Sequence, residues 1–244
     1  TPSLVIDLDA MDRNLARMAA FASEHGLRLR PHAKMHKSAE LAQLQMNHGA
    51  VGVCVQKTDE ALVLAEAGVR DIYISNEVIA PSKLMRLARA VHTLRAKFSI
   101  AVDSVMGVER LAQALHAANV SSQAVLEVFI EIDVGHGRCG VPPGAAAVAI
   151  TRAIARHPVL RFGGLQAYQG AAQHHRAGAE RAAAIARSTL AVQATCHELD
   201  AAGFKVPLVT GAGTGTFTHE AASGVWGELQ AGSYLFMDAD YAAT

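Results

Sequence analysis

The sequence has no excess of one charge, few cysteines and no long apolar run, and each shortage narrows the function. Lysine plus arginine equals aspartate plus glutamate at 22 each, so no general field draws in nucleic acid or an anionic membrane surface. No apolar stretch approaches the roughly 20 residues of a membrane-crossing helix. The opening TPSLVIDLDAMDRN has no basic-then-apolar export signal. Cys54, Cys139 and Cys196 are odd in number, widely spaced and in no metal-ligand pattern, which argues against a disulfide framework and for a reducing compartment. A soluble, cytoplasmic protein with small-molecule partners is expected.

What the chain does have is a rhythm. Across 244 residues, 51% of them hydrophobic, short β-branched runs alternate with alanine- and leucine-rich stretches, the pattern of repeated βα units around a parallel sheet. Strands are predicted at 4–8, 27–32, 51–56, 71–75, 98–103, 126–133, 163–169, 207–211 and 228–232. Helices are predicted at 10–25, 38–48, 58–68, 81–92, 104–118, 143–156 and 177–202. The fold class is α/β, a (β/α)8 TIM-type barrel, and a length near 250 residues suits one such unit. Nine strands are one more than the barrel needs, and the first is the odd one out.

Alternation assigns the faces. Leu27 and Leu29 oppose Arg28, Arg30, His32 and Lys34; Val51, Val53 and Val55 oppose Gly52, Cys54 and Gln56; Leu126, Val128 and Ile130 oppose Glu127, Phe129 and Glu131. The apolar parity is expected to face the helices and the polar parity the barrel interior. Such an interior reads as a structural ion network in which Glu127 and Glu131 neutralise Arg28 and Arg30. The C-terminal strand ends, where barrels of this type do chemistry, carry Lys34, Gln56, Asn76, Asp103, Asp133, Tyr168 and Thr210.

Four features at those ends suggest a site. Lys34 is on the inward parity, two residues beyond His32 and four beyond Arg30, so burial and positive neighbours favour the neutral amine that Schiff-base chemistry needs. Lys37 reads as an ordinary surface lysine. TGAGTGT (210–216), with QAGSY (230–234) after the last strand, presents successive backbone N–H groups to an anion, and loops after the last two strands are the usual phosphate site of these barrels. In DVGHGRCG (133–140) glycines aim Arg138 inward, and LQAYQG puts Gln166 and Tyr168 on the inner parity. An amine, a phosphate cradle, an arginine and a tyrosine together describe a site for pyridoxal 5′-phosphate.

Long motifs carry a resemblance as well. RLRPHAKMHKS, GVCVQKTDEA, EIDVGHGRCGV, GLQAYQGAAQH, GAGTGTF and SGVWGELQAGSYLFMDADY resemble the D-threonine aldolase and 3-hydroxy-D-aspartate aldolase group of fold-type III pyridoxal-phosphate enzymes, whose barrel is of the alanine racemase N-terminal type. The resemblance runs from end to end. It implies that Lys34 takes the cofactor aldehyde, with His32 and Tyr168 completing the catalytic set. It further implies cofactor contacts from Gln56, Arg138 beside the pyridine ring, Tyr168, Gly213, Thr214, Gly215, Gly232 and Ser233.

Members of this group continue into a β-rich domain that supplies the ligands of a divalent metal of the manganese, magnesium or zinc class, so no metal ligand is expected within these residues. Residues 1–9 are then expected to form a strand pairing with that domain, 10–244 the barrel, and the sequence to be a fragment of a homodimeric protein. The activity implied is cleavage of a β-hydroxy-D-amino acid to glycine and an aldehyde. A dehydratase at the same site and a non-catalytic pyridoxal-phosphate carrier are the alternatives.

Overall fold

A computed structural model describes residues 3, 5–121 and 125–243. Among the described residues, eight α-helices and eight strands alternate in the order α1 (Leu8–Glu24), β1 (Arg28–Leu29), α2 (Ala39–Asn47), β2 (Val53–Val55), α3 (Thr58–Glu66), β3 (Asp71–Glu77), α4 (Pro81–Thr93), β4 (Lys97–Val102), α5 (Val105–Ala117), β5 (Leu126–Glu131), α6 (Ala145–Ala155), β6 (Leu160–Ala167), α7 (Gly178–Ala201), β7 (Val209–Gly211), α8 (Phe217–Ser223) and β8 (Glu228–Leu229). All strand pairs are parallel, in the order β1-β8-β7-β6-β5-β4-β3-β2. A bridge between His32 and Cys54 closes the ring, with the Cys54 N–H donating to Pro31 O at 2.8 Å. β1 is short because Pro31 has no N–H to extend the ladder.

Parity places the two cores as expected. Val53, Val55, Ile72, Ile74, Ile100, Val128, Ile130 and Leu165 pack outward against the helices, while Cys54, Tyr73, Ala101 and Phe129 form a separate cluster inside the barrel. Four differences stand out. Of the predicted first strand, Leu4 lies outside the described residues, residues 5–7 carry no strand, and Leu8 opens α1 with Asp7 as its cap; Val5, Ile6 and Leu8 are nonetheless exposed. Helix α8 was not predicted, because seven residues, FTHEAAS, show too little apolar period. β6 starts three residues early and carries a register shift where Phe162 and Gly164 meet Val128 and Phe129. Gly164, at φ 134°, lies too close to Leu208 for any side chain.

The fourth difference is the ion network. Arg30, 3% exposed, donates to Glu228 Oε1 at 3.0 Å and to Asp71 Oδ1 at 2.7 Å, and Arg28 pairs with Glu228 at 3.1 Å. Glu127 pairs instead with Lys97 and Arg161. β5 lies across the barrel from β1, so closure gives the arginines acids from β8 and β3. Removing one partner of a buried pair strands the other charge. Arg30→Met should therefore cost about 3–5 kcal/mol in urea unfolding; a loss below about 1 kcal/mol would show that the pair does not hold the seam.

Candidate active site

The C-terminal strand ends open into a cavity of about 510 Å³, open solvent at its mouth included. His32, Lys34, Gln56, Arg138 and Tyr168 line it, together with Gly213, Thr214, Gly232 and Ser233, so the structure brings together residues 200 positions apart. Gly215 is the exception among those expected there. Its N–H donates to Gln173 Oε1 at 2.8 Å, away from the cavity, because the turn must satisfy that buried amide.

Lys34 sits in a 3₁₀ turn, Ala33–Met35, that His32 caps by accepting the Lys34 N–H on Nδ1 at 3.3 Å. With Nδ1 an acceptor, Nε2 carries the proton and faces Ser75 Oγ at 3.2 Å. The ring also bonds the Gln56 side chain. Both nitrogens are thus engaged, and burial, followed by the Lys34 charge, holds His32 well below its ordinary range, so it stays neutral. Burial also lowers the Lys34 ammonium, and Arg138 adds to the effect. Parity had given that role to Arg30, whose charge is matched by Glu228 and Asp71. Lys37 is less ordinary than its sequence suggested. It pairs with Glu60 at 3.2 Å, whose other oxygen accepts the N–H groups of Gln56 and Lys57 at 3.0 and 3.1 Å. This ties the lysine turn to the end of β2.

The loop carrying Arg138 is built around two rim aspartates. Asp133 Oδ1 accepts the N–H groups of Gly135 and Gly137, both at 2.9 Å, and Asp103 Oδ2 accepts that of Gly140 at 3.3 Å. Arg138 then lies 6.0 Å from the centre of the Tyr168 ring. Burial pushes the Tyr168 phenol up to about 12, so it is an O–H donor at neutral pH. Beneath the loop, burial and the adjacent Glu77 push the Glu131 carboxyl up to about 9. Each of these two acids has a buried oxygen with no hydrogen-bond partner among the described residues.

The cavity floor is an amide network. Gln230 Nε2 donates to Gln166 Oε1 at 2.7 Å and to Thr210 Oγ1 at 2.8 Å, and Tyr73 donates to Gln166 Oε1 at 2.9 Å. Thr210, expected at the rim, is fully buried in this floor, and Asn76 lines a neighbouring groove. Opposite Lys34, the N–H groups of Gly213, Thr214, Gly232 and Ser233 meet no acceptor among the described residues. Gly232 is pressed against His32 O so closely that a Cβ has no room.

Ser75, Gln230, Met35 and Tyr241 line the cavity without having been singled out. Alternation could have found Ser75, two residues past Tyr73, and Gln230, two past Glu228. Tyr241 comes from the segment after β8, which is held by His174 Nδ1 on Asp240 Oδ2 at 2.9 Å and by Arg176 on the same carboxylate; no periodicity signals that. An amine whose ammonium is disfavoured, in one cavity with backbone N–H groups that meet no acceptor among the described residues, suits a phosphorylated aldehyde.

Comparison with known proteins agrees with this chemistry. Residues 6–240 match the family described as alanine racemase, N-terminal domain. The chain is 44% identical over 243 residues to a D-threonine aldolase of Arthrobacter sp, covering 100% of this chain and 62% of the relative. It is 44% identical over 242 residues to a 3-hydroxy-D-aspartate aldolase of Paracoccus denitrificans (strain Pd 1222), covering 99% and 61%. A solved D-threonine aldolase from Filomicrobium marinum superposes with a TM-score of 0.95 at 47% identity, covering 100% of this chain and 64% of that one. The chain thus spans a little under two thirds of these relatives' length.

Two measurements check the electrostatics. Because the Lys34 ammonium is disfavoured, its amine should react with an acylating reagent at lower pH than a free lysine side chain does; mass-spectrometric labelling showing the reverse order contradicts the burial argument. An acid raised from 4.5 to about 9 on folding holds a proton in the folded state that the unfolded chain has released, so its contribution to stability declines as pH rises through that window. Glu131→Gln removes the titration. Its stability relative to the wild type should therefore improve between pH 5 and pH 9 in urea unfolding; a pH-independent difference would contradict a protonated Glu131.

Proposed function

The chain belongs to the alanine racemase N-terminal domain family, and from that premise we propose that it is the cofactor-binding barrel of a pyridoxal-phosphate-dependent aldolase. The substrates are β-hydroxy-D-amino acids such as D-threonine or 3-hydroxy-D-aspartate, cleaved to glycine and an aldehyde. One observation carries this reading: a lysine with a disfavoured ammonium lines the same cavity as four residues whose backbone N–H groups meet no acceptor among the described residues. The relatives' names support the choice of substrate class.

Pyridoxal 5′-phosphate fits the residues present. Lys34 would bind its aldehyde, the N–H groups of Gly213, Thr214, Gly232 and Ser233 its phosphate, and Tyr168 with Arg138 and Gln56 its ring. When bound, the cofactor supplies an electron-withdrawing ring that stabilises negative charge on the carbon beside the substrate nitrogen. The remaining work falls to the protein. His32, its two nitrogens occupied, holds the Lys34 turn in place. Lys34 Nζ, disfavoured as an ammonium, takes up a proton at need and gives it back. The Tyr168 hydroxyl, protonated at neutral pH, donates to a developing oxyanion at the mouth.

No group of three or more His, Cys, Asp or Glu among the described residues is arranged to hold a metal ion. The metal ligands and the cover for Val5, Ile6 and Leu8 are assigned to the β-rich part that the motif resemblance implies, in a cytoplasmic homodimer. No helix among the described residues is long and apolar enough to cross a membrane.

Reconstitution of the protein together with that β-rich part, with pyridoxal phosphate and manganese, tests the proposal. Glycine and an aldehyde should form from D-threonine or 3-hydroxy-D-aspartate, and Lys34→Ala should lower the rate at least about a thousandfold. Keto acid and ammonia would replace the aldolase by a dehydratase. A lysine-dependent visible band without turnover would make the protein a cofactor carrier.

A further inference from the structure

Behind the glycine turn after β7 runs a buried polar chain that the site as described leaves unused. Glu220, in α8, is 1% exposed. Its Oε1 accepts from Thr216 Oγ1 at 2.8 Å, while its Oε2 is buried with no partner among the described residues. Thr216 Oγ1 in turn accepts from Gln173 Nε2 at 2.7 Å. Gln173 also donates to Gln169 O at 3.3 Å and accepts the Gly215 N–H on Oε1 at 2.8 Å.

Each hydrogen bond in this chain has one direction. When Glu220 is ionised it accepts only, so the Thr216 hydroxyl donates to it, which leaves the Thr216 oxygen to accept from the Gln173 NH₂. That fixes the Gln173 amide with its oxygen toward the turn. The same amide lies directly under Gly213, where a Cβ would come within 2.5 Å of it. Gly213 O accepts from the N–H groups of Thr216 and Phe217 at 3.2 and 3.0 Å, so the turn's carbonyl points away from the cavity that Gly213 and Thr214 line. Burial pushes the Glu220 carboxyl up to about 7. The fold thus keeps an acid where an apolar residue would bury more easily.

We propose that Glu220, Thr216 and Gln173 form a positioning relay for the anion-binding turn: they engage the Gly215 N–H from behind and so present the N–H groups of Gly213 and Thr214 to a phosphate monoester. The relay rests on the reading that this turn holds the cofactor phosphate, and it acts through the turn without touching the ligand.

The test compares affinities for pyridoxal 5′-phosphate and for pyridoxal, which lacks the phosphate, through the visible band that depends on Lys34. Thr216→Val removes the hydroxyl at nearly constant volume, Glu220→Ala removes the acceptor, and Glu220→Gln keeps an acceptor oxygen. Thr216→Val and Glu220→Ala should weaken the phosphate ester about tenfold or more and leave pyridoxal unchanged, with Glu220→Gln close to wild type. Should Glu220→Ala fail to fold, Thr216→Val carries the comparison. An unchanged ratio of the two affinities, including a parallel loss of both, overturns the relay and leaves the aldolase reading standing. If the wild type shows no Lys34-dependent band with either aldehyde, the aldolase reading falls and takes the relay with it.

Discussion

Arg30 reaches across the seam between β1 and β8 to Glu228, and a guanidinium that deeply buried has to be matched on the spot or the strand cannot stay inside the ring. Glu228 and Asp71 both meet it. Glu228 also accepts from Thr210 at 2.8 Å, Thr210 from Gln230, and Gln230 donates to Gln166, so one charge pair anchors the polar floor beneath the cavity. Because side chains alternate along a strand, fixing Arg30 inward also fixes the direction of His32 two residues on. The lysine turn follows from there.

Support of this kind recurs around the rim. His32 holds the turn that bears Lys34, Asp133 and Asp103 hold the loop that bears Arg138, and Glu60 joins the lysine turn to Gln56. A reactive amine is useful only if its surroundings stay in place while its charge changes, and hydrogen bonds from buried partners do that at low cost in reorganisation. The raised Glu131 carboxyl serves a similar end: keeping its proton at neutral pH, it puts less negative charge beneath the Arg138 loop.

Much of this was legible in the residues. Alternation sorted the outer core from the inner cluster of Cys54, Tyr73 and Phe129, and separated Lys34 from Lys37 as the inward lysine. Glycine spacing marked the turn at Gly213 and Thr214. Pairing was not legible, because Arg30 could have met any acid on the inner parity until strand order put β8 and β3 beside it. Gly215 looked equivalent to Gly213 in sequence; only Gln173, 42 residues away, distinguishes their N–H groups. Helix α8 and the strapped segment bearing Tyr241 gave no periodic signal at all.

By itself, then, the sequence determined the alternating βα architecture, the side of each strand that faces inward and the turn capable of holding an anion, because these follow from short-range periodicity and backbone freedom. Only the tertiary structure decided which charges neutralise one another, that Arg138 and not Arg30 is the cation bearing on Lys34, and which glycine N–H groups of RLRPHAKMHKS's distant partner turn face the cavity. Those outcomes depend on desolvation and on contacts between strands that ring closure brings together, and neither is written in local pattern.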